Sequence, residues 1–182
     1  MGGGCNIMGA FSGGGGGGGG KWEELCNVTT AGASSVSSGT FTAKEFLHIQ
    51  CTGVNSQTAA LIPNFKMTFN NDASSGNYAS IERDSNAGSG YSNRTSSNEI
   101  LVQAGYSETD AIYFESWCYN NADYDKFGFV STNNNVTAGA GTAPDMRTMD
   151  YKWANTDDQI TEIDIVNDKG NMDWRMIVLG HD

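Results

Sequence analysis

Phe46-Leu47-His48-Ile49-Gln50-Cys51 alternates with a period of two. In an extended chain successive side chains point to opposite sides, so Leu47, Ile49 and Cys51 share one face and Phe46, His48 and Gln50 the other. The same period returns in Phe65-Lys66-Met67-Thr68-Phe69, where the aromatic and methionine side chains oppose Lys66 and Thr68. It returns again between Ala111 and Tyr119, where Ile112, Phe114 and Cys118 oppose Tyr113, Glu115, Trp117 and Tyr119. No stretch of useful length shows a capped helical period. The chain reads as all-β.

Outward from these stretches, strand-like runs recur at the spacing of about 8–12 residues typical of sandwiches and barrels. They fall at 22–29, 40–51, 60–69, 78–83, 99–106, 111–119, 126–131, 146–153, 159–166 and 174–179. Between them lie clusters rich in residues that accept positive φ or make side-chain turn bonds. These are Asn70-Asn71-Asp72, Ser74-Ser75-Gly76-Asn77, residues 86–93, residues 133–141 and Asp168-Lys169-Gly170-Asn171. The expected fold is an all-β two-sheet sandwich of jelly-roll type over residues 22–182. Several strands are partly apolar on both faces, so some outward faces are expected to lie under loops or other subunits.

Residues 1–21 differ in kind. Half of the 24 glycines lie in the first 20 residues, including the unbroken run Gly13, Gly14, Gly15, Gly16, Gly17, Gly18, Gly19 and Gly20. Ordering backbone costs about 1–2 kcal/mol per residue, so about 8–16 kcal/mol for this run. The segment reads either as a flexible tether or as an assembly arm whose ordering neighbouring chains must offset, since glycine without a Cβ allows close backbone approach.

Charge narrows the partners. Ten basic against 21 acidic residues leave a net charge of −11, which repels phosphate backbones and anionic membrane surfaces. No run reaches the roughly 18 to 20 apolar residues that span a bilayer. Neither nucleic acid binding nor membrane insertion is expected. The first residues lack a basic n-region and an apolar h-region, so no secretory signal is expected either. Met1-Gly2-Gly3-Gly4-Cys5-Asn6 departs from a myristoylation start because Asn6 stands where Ser or Thr is required.

Chemistry-bearing motifs are incomplete throughout. Cys5, Cys26, Cys51 and Cys118 contain no CxxC pair, which disfavours zinc and leaves buried thiols as the expected state, with disulfides as the alternative. His48 and Cys51, three apart on one strand, point to opposite faces, and His181 lies in the tail, where solvation is expected. No G-x-S-x-G elbow and no phosphate loop is present. Asn70 and Asp72 are weak candidates for a Ca²⁺ site, without EF-hand spacing, and read better as a turn. No cofactor is expected. Tyr113, Trp117 and Tyr119 form an aromatic stripe that suits sugar-ring stacking or a subunit interface.

Two resemblances accompany these readings. Glu162-Ile163-Asp164-Ile165-Val166-Asn167 resembles the E-I-D-I-V-E signature of family 16 glycoside hydrolases. That resemblance implies Glu162 as nucleophile and Asp164 as the residue that tunes it. The acid/base position holds Asn167, and an amide cannot protonate a leaving oxygen, so no glycosidase activity is expected. The hexapeptide instead reads as acidic–apolar alternation on a solvated strand.

As a whole, residues 22–180 resemble small virion-surface proteins of tailed phages. The carriers are the glycine-rich start, Trp22-Glu23-Glu24-Leu25 entering the first strand, and Phe65-Lys66-Met67-Thr68-Phe69-Asn70-Asn71-Asp72 leading to Asn77-Tyr78. The close on Met176-Ile177-Val178-Leu179-Gly180 completes them. The resemblance implies a capsid decoration, head fibre, tail fibre or adhesin subunit on the virion. It also implies association with itself, a trimer being favoured, and with other virion proteins, with host-surface glycan as a further contact. The alternatives are a free-standing lectin-like module and an inactive glycosidase-like sandwich.

Overall fold

The computed structural model describes residues 20–56, 64–84, 91–103, 111–134, 140–141 and 144–182. Among them every regular element is a strand. In chain order these are β1 (Glu23–Ala33), β2 (Ser35–Ser37), β3 (Phe46–Asn55), β4 (Asn64–Phe69), β5 (Tyr78–Asp84) and β6 (Tyr91–Ser97). There follow β7 (Ile100–Gln103), β8 (Ala111–Tyr119), β9 (Lys126–Asn134), β10 (Asp145–Trp153), β11 (Ile163–Asn167) and β12 (Met172–His181).

They build two antiparallel sheets. The larger has eight strands in the order β1-β12-β3-β8-β9-β10-β5-β6, and the smaller has four in the order β2-β11-β4-β7. The core lies between them, as the alternation requires. Leu47, Ile49, Ile112, Phe114, Trp174, Met176 and Val178 of the large sheet are buried with Phe65, Met67, Ile163 and Ile165 of the small one. Phe65 meets Trp174 at 5.0 Å between ring centroids, and Phe69 meets Trp153 at 5.8 Å. Burying an aromatic or branched aliphatic side chain contributes about 1.5–3 kcal/mol, so this inter-sheet layer dominates the stability.

Asn70 and Asp72 hold the β4–β5 turn. Asn70 and Asn71 have φ of 53° and 56°, a left-handed conformation that asparagine tolerates better than most residues. The Asn70 Oδ1 accepts from the amides of Thr161 and Glu162, while Asn120 Oδ1 accepts from that of Ile160. Side chains thus claim the backbone donors ahead of β11. For that reason the strand begins at Ile163 and not at residue 159 as the sequence pattern suggests.

Other departures have equally local causes. Tyr91-Ser92-Asn93, expected as part of a turn, opens β6, which among the described residues is an edge strand paired with β5 alone. Edge strands are often polar on both faces, so β6 shows no apolar alternation. β2 is three residues long with one buried apolar side chain, Val36, too short to register as a period. Residues 40–45 precede β3 and are not strand, while β9 and β12 run longer than expected. The run Gly13–Gly19 lies outside the described residues, as does residue 104 onward of the expected 99–106 strand.

Candidate functional site

The outward face of the large sheet carries aromatic residues in two adjacent rows. Antiparallel register aligns His181, Phe46, Tyr119 and Phe127 across β12, β3, β8 and β9. Two residues along, it aligns Leu179, His48, Trp117, Phe129 and, on β10, Asp150. Directly opposed side chains on one face have Cβ atoms about 4.5–5.5 Å apart, which brings rings into contact. Phe46 lies 5.5 Å from Tyr119, and Tyr119 5.4 Å from Phe127. The His48 ring stacks on Trp117 at 3.9 Å with 11° between planes.

Trp22 completes the patch from outside the sheet. It stands edge-on to Trp117 at 5.6 Å and to His48 at 6.3 Å, and lies 5.5 Å from His181. This cover buries His48 although it sits on the outer face. The expected tail is strand instead: His181, half-exposed, is the last residue of β12 and packs on Trp22 and Phe46. Gly20 lies against the His181 ring and the Asp182 backbone, so the glycine-rich segment joins the domain at the rim of this patch.

The patch stays open to solvent. Trp22 is 44 % exposed, Phe46 42 %, Trp117 38 %, Phe127 54 % and Phe129 44 %. Together they bound an open trough of about 590 Å³, with Asp150 at its side. Leaving contiguous aromatic surface of this kind in water forfeits its transfer free energy. Beneath it, Gly128 has no side chain on the core side, and the Tyr151 hydroxyl reaches Ser116 at 2.8 Å. A Cβ at Gly128 would collide with the Trp117 carbonyl and lie 2.8 Å from the Tyr151 hydroxyl.

Of the sequence-derived stripe, Trp117 and Tyr119 belong to this patch and Tyr113 does not. The next row holds Gln50, Glu115 and Ser131, and Tyr113 lies one row further, beside Thr52 and Asn133. The Tyr113 hydroxyl donates to Glu115 Oε2 at 3.2 Å, and His48 Nε2 lies 3.4 Å from the same oxygen. Burial, with the neighbouring Glu115 charge, raises the Tyr113 phenol above its ordinary pKa. Phe46, Phe127, Phe129 and Trp22 were missed as site residues. Phe127-Gly128-Phe129 is the signal that could have found two of them, as aromatic residues at period two around a glycine.

The remaining candidates lie apart. Cys51 is buried on the core side of β3 while His48 faces outward, and burial pushes the Cys51 thiol well above its ordinary pKa. Burial likewise pushes Cys118 up to about 12. Glu162 accepts from Asn71 Nδ2 at 2.8 Å and from Ser37 Oγ at 3.2 Å. Burial, with the nearby Glu162 charge, raises Asp164 against the hydrogen bond from Ser37. Asn167 is buried on the opposite face of β11 from Asp164, and its Oδ1 accepts from the Lys169 amide at 3.1 Å. The three side chains therefore do not converge.

The Asp72 carboxylate accepts from the Ser74 amide at 2.9 Å, Asn77 Nδ2 at 2.7 Å and Trp153 Nε1 at 2.8 Å. Burial works to raise this carboxyl, and those bonds outweigh it, holding it at about 2. With Asn70 Oδ1 also engaged by amides, both residues act as turn locks. Among the described residues, no three His, Cys, Asp or Glu side chains gather as metal ligands.

Comparison with known proteins adds no relative: no family model matches the chain, and no curated protein or solved structure gives a significant match.

Proposed function

We propose that this chain is a structural subunit of the virion-surface type that its sequence resembles, and that it assembles with like subunits through its aromatic sheet face. The carrying observation is the open trough between Trp22, Phe46, Trp117, Phe127 and Phe129, with the root of the glycine-rich segment at its rim. An acidic domain with a net charge of −11 stays soluble alone, so an exposed aromatic face of this extent is best accounted for by a partner. The partners in this reading are copies of the chain, in a trimer or another closed assembly, and other virion proteins, with host glycan as a secondary contact.

Sugar recognition asks for hydrogen-bonding groups around an aromatic platform. The trough lining offers chiefly Asp150 and the Tyr119 phenol against a mainly aromatic wall, which suits an apolar partner better. The jelly-roll form belongs to the same proposal. Its support is that the chain crosses between the sheets on entering and on leaving each of β2, β4, β7 and β11, so that every small-sheet strand is flanked in sequence by large-sheet strands. The test is light scattering after size-exclusion chromatography, on the full chain and on Phe127→Ser/Phe129→Ser. A closed oligomer that falls to monomer in the double variant is expected. A full chain that stays monomeric over the whole accessible concentration range would sink the proposal.

A further inference from the structure

We propose that the trough is filled by residues 5–11 of a neighbouring copy, Cys5-Asn6-Ile7-Met8-Gly9-Ala10-Phe11, with Ile7, Met8 and Phe11 as the anchoring side chains. This rests on the assembly reading above and names the segment that makes the contact.

Charge selects the occupant first. All ten basic and 21 acidic residues lie in 21–182, so two domains brought face to face repel each other. Residues 1–20 carry no Asp, Glu, Lys, Arg or His and can enter an acidic neighbour's trough without that repulsion. Chemistry selects it second. The segment holds Ile7, Met8 and Phe11 close together, and Met and aromatic side chains are among those enriched at interface cores. A trough of about 590 Å³ accommodates a few such side chains.

Reach is sufficient. The eight glycines Gly13–Gly20 span up to about 26–29 Å when extended. A domain of this size has a radius of gyration of about 15 Å, so Phe11 reaches past its own domain to an adjacent one. The glycine run need not be ordered for this, which avoids most of the backbone entropy cost. Geometry favours the neighbour over the chain's own trough. Gly20 sits at the β12 side, against His181 and Asp182, and the Trp22 ring stands between that root and the trough. An arm returning to its own trough must cross that ring, whereas one reaching outward need not. Reciprocal exchange of arms also closes a symmetric assembly without leaving a trough empty.

The experiment uses two full-length variants and their mixture. One carries Ile7→Ser/Met8→Ser/Phe11→Ser and keeps the trough; the other carries Phe127→Ser/Phe129→Ser and keeps the arm. Sedimentation equilibrium should show each variant alone associating at least about 100-fold more weakly than the parent, as expected when several anchors are lost. Mixing them should restore association between unlike copies, because one supplies the arm and the other the trough. Phe46→Ser serves as the trough variant if the double substitution fails to fold. An arm variant that associates like the parent, while the trough variant does not, overturns this inference and leaves the assembly reading standing. A mixture that stays dissociated overturns the exchange between copies. A monomeric parent overturns both, and a red shift of tryptophan emission in its arm variant would assign the segment to its own trough.

Discussion

The outer face of the large sheet has two ends made by the same strands. At one, β3, β8 and β9 present Phe46, Tyr119 and Phe127, then His48, Trp117 and Phe129. At the other, the same strands present Gln50, Glu115 and Ser131, then Thr52, Tyr113 and Asn133. The alternation is identical at both ends, yet one is an open aromatic trough and the other a hydrogen-bonded polar surface. Period two tells which face a residue takes. What that face does depends on which residues share a row across strands far apart in sequence.

The largest effect that would break this comparison is on association. Losing Phe127 and Phe129 together should cost about 4 kcal/mol of binding, taking each as a hot-spot aromatic, and be read as a fall in oligomer mass. Tyr113→Ser at the polar end should leave the mass unchanged; a similar loss there would show the two ends to be one surface.

Next comes the layer beneath the aromatic end. Gly128→Ala places a Cβ against the Trp117 carbonyl, where backbone must move. Overpacking of this kind costs about 1–3 kcal/mol, visible as a lowered midpoint in urea.

Acid tests the β4–β5 turn, which Asp72 ties to Trp153 on the core side of β10. The Asp72 carboxyl is held at about 2, below its ordinary value of 3.8. A depressed folded-state pKa contributes stability that is present above the unfolded value and lost as pH falls through the folded one. Between about pH 4 and pH 2 the chain should lose on the order of 1–2 kcal/mol from this residue, allowing for solvent screening. Asp72→Asn should flatten that part of the profile, read by urea unfolding at each pH.

The smallest effect sharpens the polar end. Tyr113→Phe removes one hydrogen bond to Glu115 on a half-buried surface and should shift stability by no more than about 1 kcal/mol. Association should be unaffected.

Much of the architecture was legible in the chain. The alternations at Leu47–Cys51, Phe65–Phe69 and Ile112–Cys118 place those side chains in the core, and the turn at Asn70-Asn71-Asp72 is where its residue types put it. β2 and β6 escaped because one is three residues long with a single apolar side chain and the other is a polar edge. The start of β11 escaped because Asn70 and Asn120, distant in sequence, capture the amides of residues 160–162. Of the site, Trp117 and Tyr119 were readable as an outward stripe, whereas its grouping with Phe46, Phe127, Phe129 and Trp22 was not.

By itself the sequence determined that the chain is all-β, which faces its main strands bury, and that all its charged side chains lie in residues 21–182 while half of its glycines crowd the first 20. Only the tertiary structure decided that β3, β8 and β9 stand side by side in register, that Trp22 folds over His48, and that the glycine-rich segment is rooted at the trough's rim. The physical reason is range. Side-chain alternation is set by the local geometry of an extended backbone, while a surface patch is set by hydrogen-bonded register between strands whose sequence separation carries no local signal.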